Sequence, residues 1–316
     1  MIAFGPVPSR RLGRSVGINN IPPKVCTYAC VYCQVGKTTR MQIDREEFYH
    51  PYEIYRDVTK KVENAHKEGE PIDYLTFVSD GEPTLDTNLR QEIRVLKSLG
   101  LKIAVITNGS LIWRKDVRAD LAKADWISLK LDSIWQNTWR KINRPHNDLN
   151  LNVILREMQD FSHNFKGKLV TETMLVQGIN SDDKLLIEMA EFLAELNPEK
   201  AYLAIPTRPP AENWACPPTP KDINHAFQIF AEKFNRVEYL IGYEGNAFAF
   251  TGNIERDLLG ITSVHPMRED AVSDLLDKAD KDWLIVKKMV SQGQIVETEY
   301  NGQRFYMRNF NPMNTR

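Results

Sequence analysis

Three of the four cysteines fall within eight residues, Cys26-Thr-Tyr-Ala-Cys30-Val-Tyr-Cys33, a C-x3-C-x2-C spacing. Thiolates are soft ligands that suit iron–sulfur clusters or zinc. A structural zinc takes four closed protein ligands, so a zinc reading needs a distant fourth, His50 or His146. Three cysteines on a cubane leave one iron open to the amino and carboxylate groups of a small molecule. An electron passed into a sulfonium on that molecule would cleave it homolytically and give a carbon radical. Such chemistry belongs to the cofactors; the protein supplies position and shielding. A secreted disulfide framework would spread an even set of cysteines along the chain, so the clustering favours a metal in a reducing compartment.

The elements that must hold this loop are legible as a repeat. Val16 to Asn20, Tyr74 to Val78, Leu101 to Thr107, Trp126 to Leu131, Lys168 to Val176 and Ala201 to Ile205 read as strands. Amphipathic stretches between them read as helices: Pro51 to Lys67, Thr87 to Leu99, Arg114 to Ala124, Asn150 to Phe165, one capped by Ser181, and Pro220 to Phe234. About six β-then-α units predict a parallel sheet covered by helices and curled into a full or partial barrel, ligands gathering at the C-terminal strand ends. The chemistry-bearing residues fall there: the cysteine loop, Ser79-Asp-Gly-Glu-Pro83, Thr107-Asn-Gly109, Asp132 and Pro206-Thr-Arg208. Tyr243 to Asn253 reads as extended or a hairpin. Glu269 to Ala279 and Trp283 to Gln292 read as helices, and Gln294 to Tyr300 with Gln303 to Arg308 as a hairpin around Asn301-Gly302. That pattern predicts a winged-helix-like module over 266–316 behind a barrel domain over 1–265, divided at His265-Pro266.

The cysteine spacing, with Tyr32 before the last thiol, resembles the radical S-adenosylmethionine (SAM) superfamily signature. Gly81-Glu82-Pro83 matches the place of that superfamily's GGE-like motif, with Asp80-Gly81 where two glycines are usual. Thr107-Asn108-Gly109 matches another familiar strand end, and the βα repeat is similar to its partial (βα)6 TIM-type barrel; the likeness covers roughly residues 10 to 250. It implies a [4Fe–4S] cluster on Cys26, Cys30 and Cys33, and S-adenosyl-L-methionine contacted by Tyr32, Gly81, Glu82, Pro83, Thr107 and Asn108. It also implies a reductant such as ferredoxin or flavodoxin. Gly5-Pro-Val-Pro-Ser-Arg-Arg-Leu-Gly-Arg-Ser15 and Arg208-Pro-Pro-Ala-Glu212 resemble the wyosine-base synthase group. That synthase carries a second cluster on three further cysteines, whereas only Cys216 remains here, which marks this chain as a single-cluster member.

Other residues carry weaker signals. Lys130, Asp132, Glu172 and Arg208 lie in or just after strands, and in strand alternation Lys130 and Asp132 point the same way. If that side is the barrel interior, they face substrate or the SAM carboxylate and ribose; if not, they are ordinary polar contacts to the surrounding helices. Lys130, Arg208 and Cys216 are the catalytic candidates, Cys216 as a hydrogen-atom donor, although a lone cysteine is more often inert filler. Residues 1–43 hold Arg10, Arg11, Arg14, Lys24, Lys37 and Arg40 and no acid, a cluster suited to an RNA substrate or another phosphate-bearing molecule, to offsetting cluster charge, or to a plain solvated surface.

The formal net charge of −1 gives no global pull toward nucleic acid or anionic membrane. Residues 267–316 balance eight basic against eight acidic side chains, so a strong nucleic-acid grip by the tail is not expected. No apolar run approaches the roughly 20 residues of a membrane span, and the N-terminus lacks a signal-peptide layout, so a cytoplasmic setting is expected. The functional expectation is a radical enzyme that abstracts hydrogen from an RNA, nucleotide, peptide or small-metabolite substrate. A non-enzymatic iron–sulfur sensor with a DNA-binding tail is the competing class.

Overall fold

The computed structural model describes residues 2–242 and 244–309. In chain order the elements are β1 Ala3–Ser9, β2 Gly13–Ile18, β3 Val25–Cys26, β4 Arg40–Met41, α1 Pro51–Lys67, β5 Tyr74–Phe77, α2 Leu89–Leu96, β6 Lys102–Thr107, α3 Lys115–Leu121 and β7 Trp126–Lys130. Then follow α4 Gln136–Asn143, α5 Leu151–Asn164, β8 Lys168–Met174, α6 Asp183–Leu196, β9 Lys200–Ala204, α7 Pro220–Lys233 and β10 Val237–Leu240. The tail comprises α8 Ile254–Val264, β11 Met267–Arg268, α9 Glu269–Lys278, α10 Leu284–Ser291, β12 Ile295–Tyr300 and β13 Gln303–Arg308. None of these helices is long and apolar enough to cross a membrane.

The main sheet runs β1-β2-β5-β6-β7-β8-β9-β10, antiparallel between β1 and β2 and parallel from β2 onward. Side chains alternate across it. Leu75, Ile103, Val105, Ile127, Leu129 and Leu203 pack under the helices. Ala104, Trp126, Val170, Tyr202 and Ala204 form the opposite face together with Leu12 from one edge and Leu240 from the other. Arg10 Nη2 donates to the Leu240 carbonyl oxygen at 3.0 Å, so the sheet curls until its two edges almost meet. The expected six-unit repeat is therefore present, with an added antiparallel hairpin at one edge and a seventh parallel strand at the other. The hairpin uses the segment Gly5 to Ser15, whose prolines Pro6 and Pro8 a free edge strand tolerates because no ladder needs their missing N–H.

Helix starts follow their capping residues. His50 and Glu53 make a reciprocal capping box at α1, with Pro51 at its first position. Asp182, and not Ser181, caps α6 by accepting from the Leu185 amide. The segment 244–253 forms no strand, and Tyr243 lies outside the described residues. The tail shows the expected two helices and hairpin, β13 lying between β11 and β12. Its core, with Met267, Val272, Leu275 and Met289, also takes in Phe248, Ile254, Leu258 and Ile261, so its packing reaches back across His265-Pro266. Buried Lys61 of α1 donates to Asp257 and Thr251, each at 2.9 Å, and ties this unit to the barrel.

Candidate functional site

The cysteine loop is clamped on two sides by main-chain hydrogen bonds. On one, Lys24 N donates to Asp80 O at 2.8 Å and Glu82 N to Val25 O at 3.1 Å. Gly81 makes this approach possible: a Cβ there would stand 1.8 Å from the Val25 carbonyl oxygen, far inside contact distance. On the other side the C-terminal end of α4 holds the loop, with Ala29 N on Asn143 O at 3.0 Å and Val31 N on Ile142 O at 2.9 Å.

Two asparagine amides point at sulfur. Asn108 Nδ2 lies 3.6 Å from Cys26 Sγ and 2.7 Å from Thr27 Oγ1, and Asn143 Nδ2 lies 3.4 Å from Cys30 Sγ. Burial raises all three thiols, Cys30 to about 12, where Asp132 adds to the effect; for Cys33, Lys24 opposes it. Thiols raised in this way are poor free nucleophiles, and a bound cation would favour their thiolate form. Among the described residues no group of three or more His, Cys, Asp or Glu could hold a single metal ion. The distant ligands a zinc site would need are engaged elsewhere: His50 caps α1, and His146 Nδ1 accepts from Asp148 N at 3.3 Å. One loop offering three thiols, with an amide donor to sulfur from the end of β6 and another from the end of α4, fits a cysteine-held cubane with one open iron.

Glu82 lies in the loop after β5, as the cap of the 3-10 turn that follows, and is 1% exposed. Its Oε1 accepts from Thr107 Oγ1 at 2.5 Å and Thr84 Oγ1 at 2.6 Å, and its Oε2 from Asn108 N at 2.7 Å. Burial raises its pKa, against the pull of those donors. Asn108 Oδ1 accepts from Ser110 N at 2.9 Å, which holds its amide toward the loop, and Gly109 between them takes a positive φ of 71°.

A cavity of about 270 Å³ opens over the thiols. It brings together Cys26, Cys30, Cys33, Tyr32, Gly81, Glu82, Thr107, Asn108, Lys130, Glu172 and Arg208. Lys130 and Glu172 do face the interior, as strand alternation predicts. Lys130 Nζ donates to Glu172 Oε1 at 2.5 Å and lies 5.1 Å from the centre of the Tyr32 ring. Arg11 takes the other oxygen of Glu172. Burial would raise Glu172, but Arg11 and Lys130 outweigh it and hold the carboxylate at about 2.

Three expected residues stand outside the cavity. Pro83 opens a short 3-10 turn behind Glu82. Asp132 lies behind Tyr32, because β7 ends at Lys130 and the alternation stops there; it accepts from the Tyr32 hydroxyl, from Asn143 Nδ2 at 2.6 Å and from Met174 N at 2.8 Å. Cys216 sits in its own loop with Sγ 3.9 Å from Asn213 O, so its expected hydrogen-donor role has no geometric support.

The basic N-terminal set divides. Arg10, Arg11 and Lys24 line the cavity. Arg14 pairs with Glu70, Lys37 with Glu212 and Arg40 with Glu46, on other surfaces. Sequence reasoning missed Gln34, Glu244 and His265. Arg208 donates to Gln34 Oε1 at 2.8 Å and Glu244 Oε2 at 2.6 Å and lies 2.7 Å from His265 Nε2. Gln34 Nε2 in turn donates to Val264 O at 3.0 Å. Proximity of Gln34 to Cys33 was the only available signal; nothing local marks Glu244 or His265.

The model of the radical SAM superfamily matches residues 20–193. A UPF0026 protein of Methanocaldococcus jannaschii is 50% identical over 310 residues, spanning 98% of this chain and 96% of that protein. An S-adenosylmethionine-dependent nucleotide dehydratase of Flammeovirga pacifica is 25% identical over 259 residues, 76% of this chain and 79% of that one. Among solved structures, TYW1 with a lysine-pyruvate adduct bound superposes with a TM-score of 0.54 over 70% of this chain and 75% of that one; at 16% identity the likeness is one of fold, a mostly parallel sheet curled as a partial barrel.

Proposed function

Because the chain belongs to the radical SAM superfamily and, within it, to the UPF0026 family, we propose that Cys26, Cys30 and Cys33 hold its [4Fe–4S] cluster and that the cavity above them takes SAM and a nucleotide-type substrate. Bound together, cluster and SAM would supply one-electron reduction of the sulfonium and, from it, a carbon radical able to take hydrogen from the substrate.

The chain's own residues bind and orient. Asn108 and Asn143 donate to sulfur and favour the thiolate form of Cys26 and Cys30. Gly81, Glu82, Thr107 and Asn108 shape the wall where the amino end of SAM would lie. The Glu82 carboxylate, already accepting from Thr84, Thr107 and the Asn108 amide, is fixed in orientation before anything binds. Tyr32 offers a ring face at the cavity wall, and Asp132 holds that ring by its hydroxyl as a positioning residue. Lys130, kept protonated by Glu172, is an ammonium for anion binding rather than an amine nucleophile: burial works against the charge, and Glu172 outweighs it. Arg208 links the cavity wall to Gln34 and the tail. The tail, read as a winged-helix-like cover, keeps solvent from that side. A reducing cytoplasm with ferredoxin or flavodoxin as donor suits such a centre.

The observation that carries this reading is the convergence of three thiols, the Glu82 wall and the Lys130–Glu172–Arg11 network on one cavity. The nucleotide class draws support from the dehydratase relative and from the cations at the same cavity. The test is anaerobic reconstitution with iron and sulfide, reduction, addition of SAM and assay of 5′-deoxyadenosine, with Cys30→Ala as control. Deoxyadenosine only with intact cysteines is expected. Stoichiometric zinc without sulfide would overturn the reading.

A further inference from the structure

We propose that the part of the cavity lined by Arg10, Arg11 and Arg208 is a phosphate subsite, which makes the substrate a small molecule with a terminal phosphate or diphosphate. This rests on the radical SAM reading and names its substrate class.

Charge carries the argument. Arg10 and Arg11 come from the turn between β1 and β2, Arg208 from the loop after β9, and Lys130 from the end of β7; all four line the cavity. The carboxylates at this end of the cavity are Glu172 and Glu244, which leaves an excess of two positive charges there; Lys24, Asp80 and Glu82 stand at the cysteine end. His265 removes none of it, since burial first and then Arg208 push its imidazole down to about 3 and leave it neutral. Bound cofactors do not remove it either: a three-thiolate [4Fe–4S] centre and a SAM sulfonium are together close to neutral. Excess charge in a partly desolvated space is costly without a counter-ion.

The cations also repel one another, and one donor among them is unused. The Arg10 guanidinium, partly buried although the residue as a whole is exposed, is lowered by that burial; Glu244 opposes this, and the neighbouring Arg11 and Arg208 push it further down by like-charge repulsion. Arg208 Nε is a buried donor with no hydrogen-bond partner. Arg10 gives Nη2 to the Leu240 carbonyl and is otherwise exposed, so the subsite opens to solvent there. Guanidinium forks match phosphate oxygens in pairs. A monocarboxylate or a backbone phosphodiester would cancel only one of the two charges, whereas a terminal phosphate carries close to two. Anchoring a non-reacting phosphate in the same cavity as the thiols fixes the rest of the substrate against the reacting centre.

The test uses reconstituted holoenzyme with SAM and inorganic pyrophosphate as the probe, titrated by calorimetry. Saturable binding is expected, weakened about ten- to a hundredfold in Arg10→Gln and partly restored in Arg10→Lys. Arg10 is exposed as a residue, and a urea midpoint matching the parent's checks that these variants fold. No pyrophosphate binding by the parent protein, or equal binding by Arg10→Gln, overturns the subsite. Equal binding of succinate overturns the phosphate assignment, and tighter Arg10-dependent binding of an RNA oligonucleotide without terminal phosphates overturns the small-molecule source. Deoxyadenosine formation by the parent protein is measured in parallel: pyrophosphate binding without it sinks the radical reading alone, and deoxyadenosine without pyrophosphate binding sinks the subsite alone.

Discussion

Replacing Asp132 by alanine removes the acceptor from three donors at once: the Tyr32 hydroxyl, Asn143 Nδ2 and Met174 N. Each belongs to a different segment, namely the cysteine loop, the end of α4 and the end of β8. Asp132 is 3% exposed and Asn143 2%, so water compensates poorly. A buried donor left without a partner costs about 1–3 kcal/mol, so Asp132→Ala is expected to lose roughly 3–6 kcal/mol once some relaxation is allowed. Asp132→Asn keeps one oxygen for Met174 but turns an amide toward two donors, and should lose about 1–3 kcal/mol. Urea unfolding of the metal-free protein gives the energies, and iron and sulfide content after reconstitution shows whether Tyr32 and Cys30 still sit correctly. Both variants should bind less cluster, in the same order as their instability. If Asp132→Ala unfolds within about 0.5 kcal/mol of the parent and loads iron normally, the loop is held by something other than this carboxylate.

Gly81→Ala places a carbon 1.8 Å from the Val25 carbonyl; backbone cannot rotate away, so we expect about 1–3 kcal/mol of destabilisation or more, and reduced iron retention, with an unchanged melting temperature as the refuting result. Lys61→Met leaves Asp257 buried without its cation and should cost about 3–5 kcal/mol, with faster proteolysis between barrel and tail; the double variant Lys61→Met/Asp257→Leu should recover most of that. Acid should loosen the protein. His265, held at about 3, is neutral when folded, and the unfolded chain takes up the proton first. Stability therefore falls as pH drops below about 6.5, by at most about 1.4 kcal/mol per pH unit, until about pH 3. Burial would raise Glu244, but Arg208 and His265 hold it at about 2, so its contribution is full above the ordinary carboxylate range and lost as pH falls toward 2. His265→Gln should flatten the urea midpoint between pH 6.5 and 4; an unaltered slope would refute the assignment.

The legible part of the fold was the part that obeys simple periodicity. Apolar runs such as Leu101 to Thr107 announce buried parallel strands, and the cysteine spacing announces itself. Strand β1 did not, because two prolines and a glycine in Gly5 to Pro8 disguise an edge strand as a loop. Strand β10, Val-Glu-Tyr-Leu, presents only its two end residues to the core. Helix α4 is short, and α8 carries Gly260 and β-branched residues in its interior, which mute the helical signal. At the site, alternation placed Lys130 and Glu172 correctly. It misplaced Asp132, two residues beyond the strand end, where pleat geometry no longer applies. Glu244 and His265 meet Arg208 only through the tertiary fold, and no local spacing encodes that meeting.

The order in which the site's parts lie along the chain has a consequence for its birth. The thiols and both of their main-chain clamps are complete by Asn143, in the first half of the molecule. The contact that joins Gln34 to Val264 spans 230 positions. A ribosome therefore delivers the cysteine loop and both of its clamps before β8 to β10 and the segment that covers the thiols exist. For that interval the loop is open to incoming iron and sulfide, and equally to oxidants. Slowing translation between these two points would lengthen the exposure without altering a single residue of the finished protein.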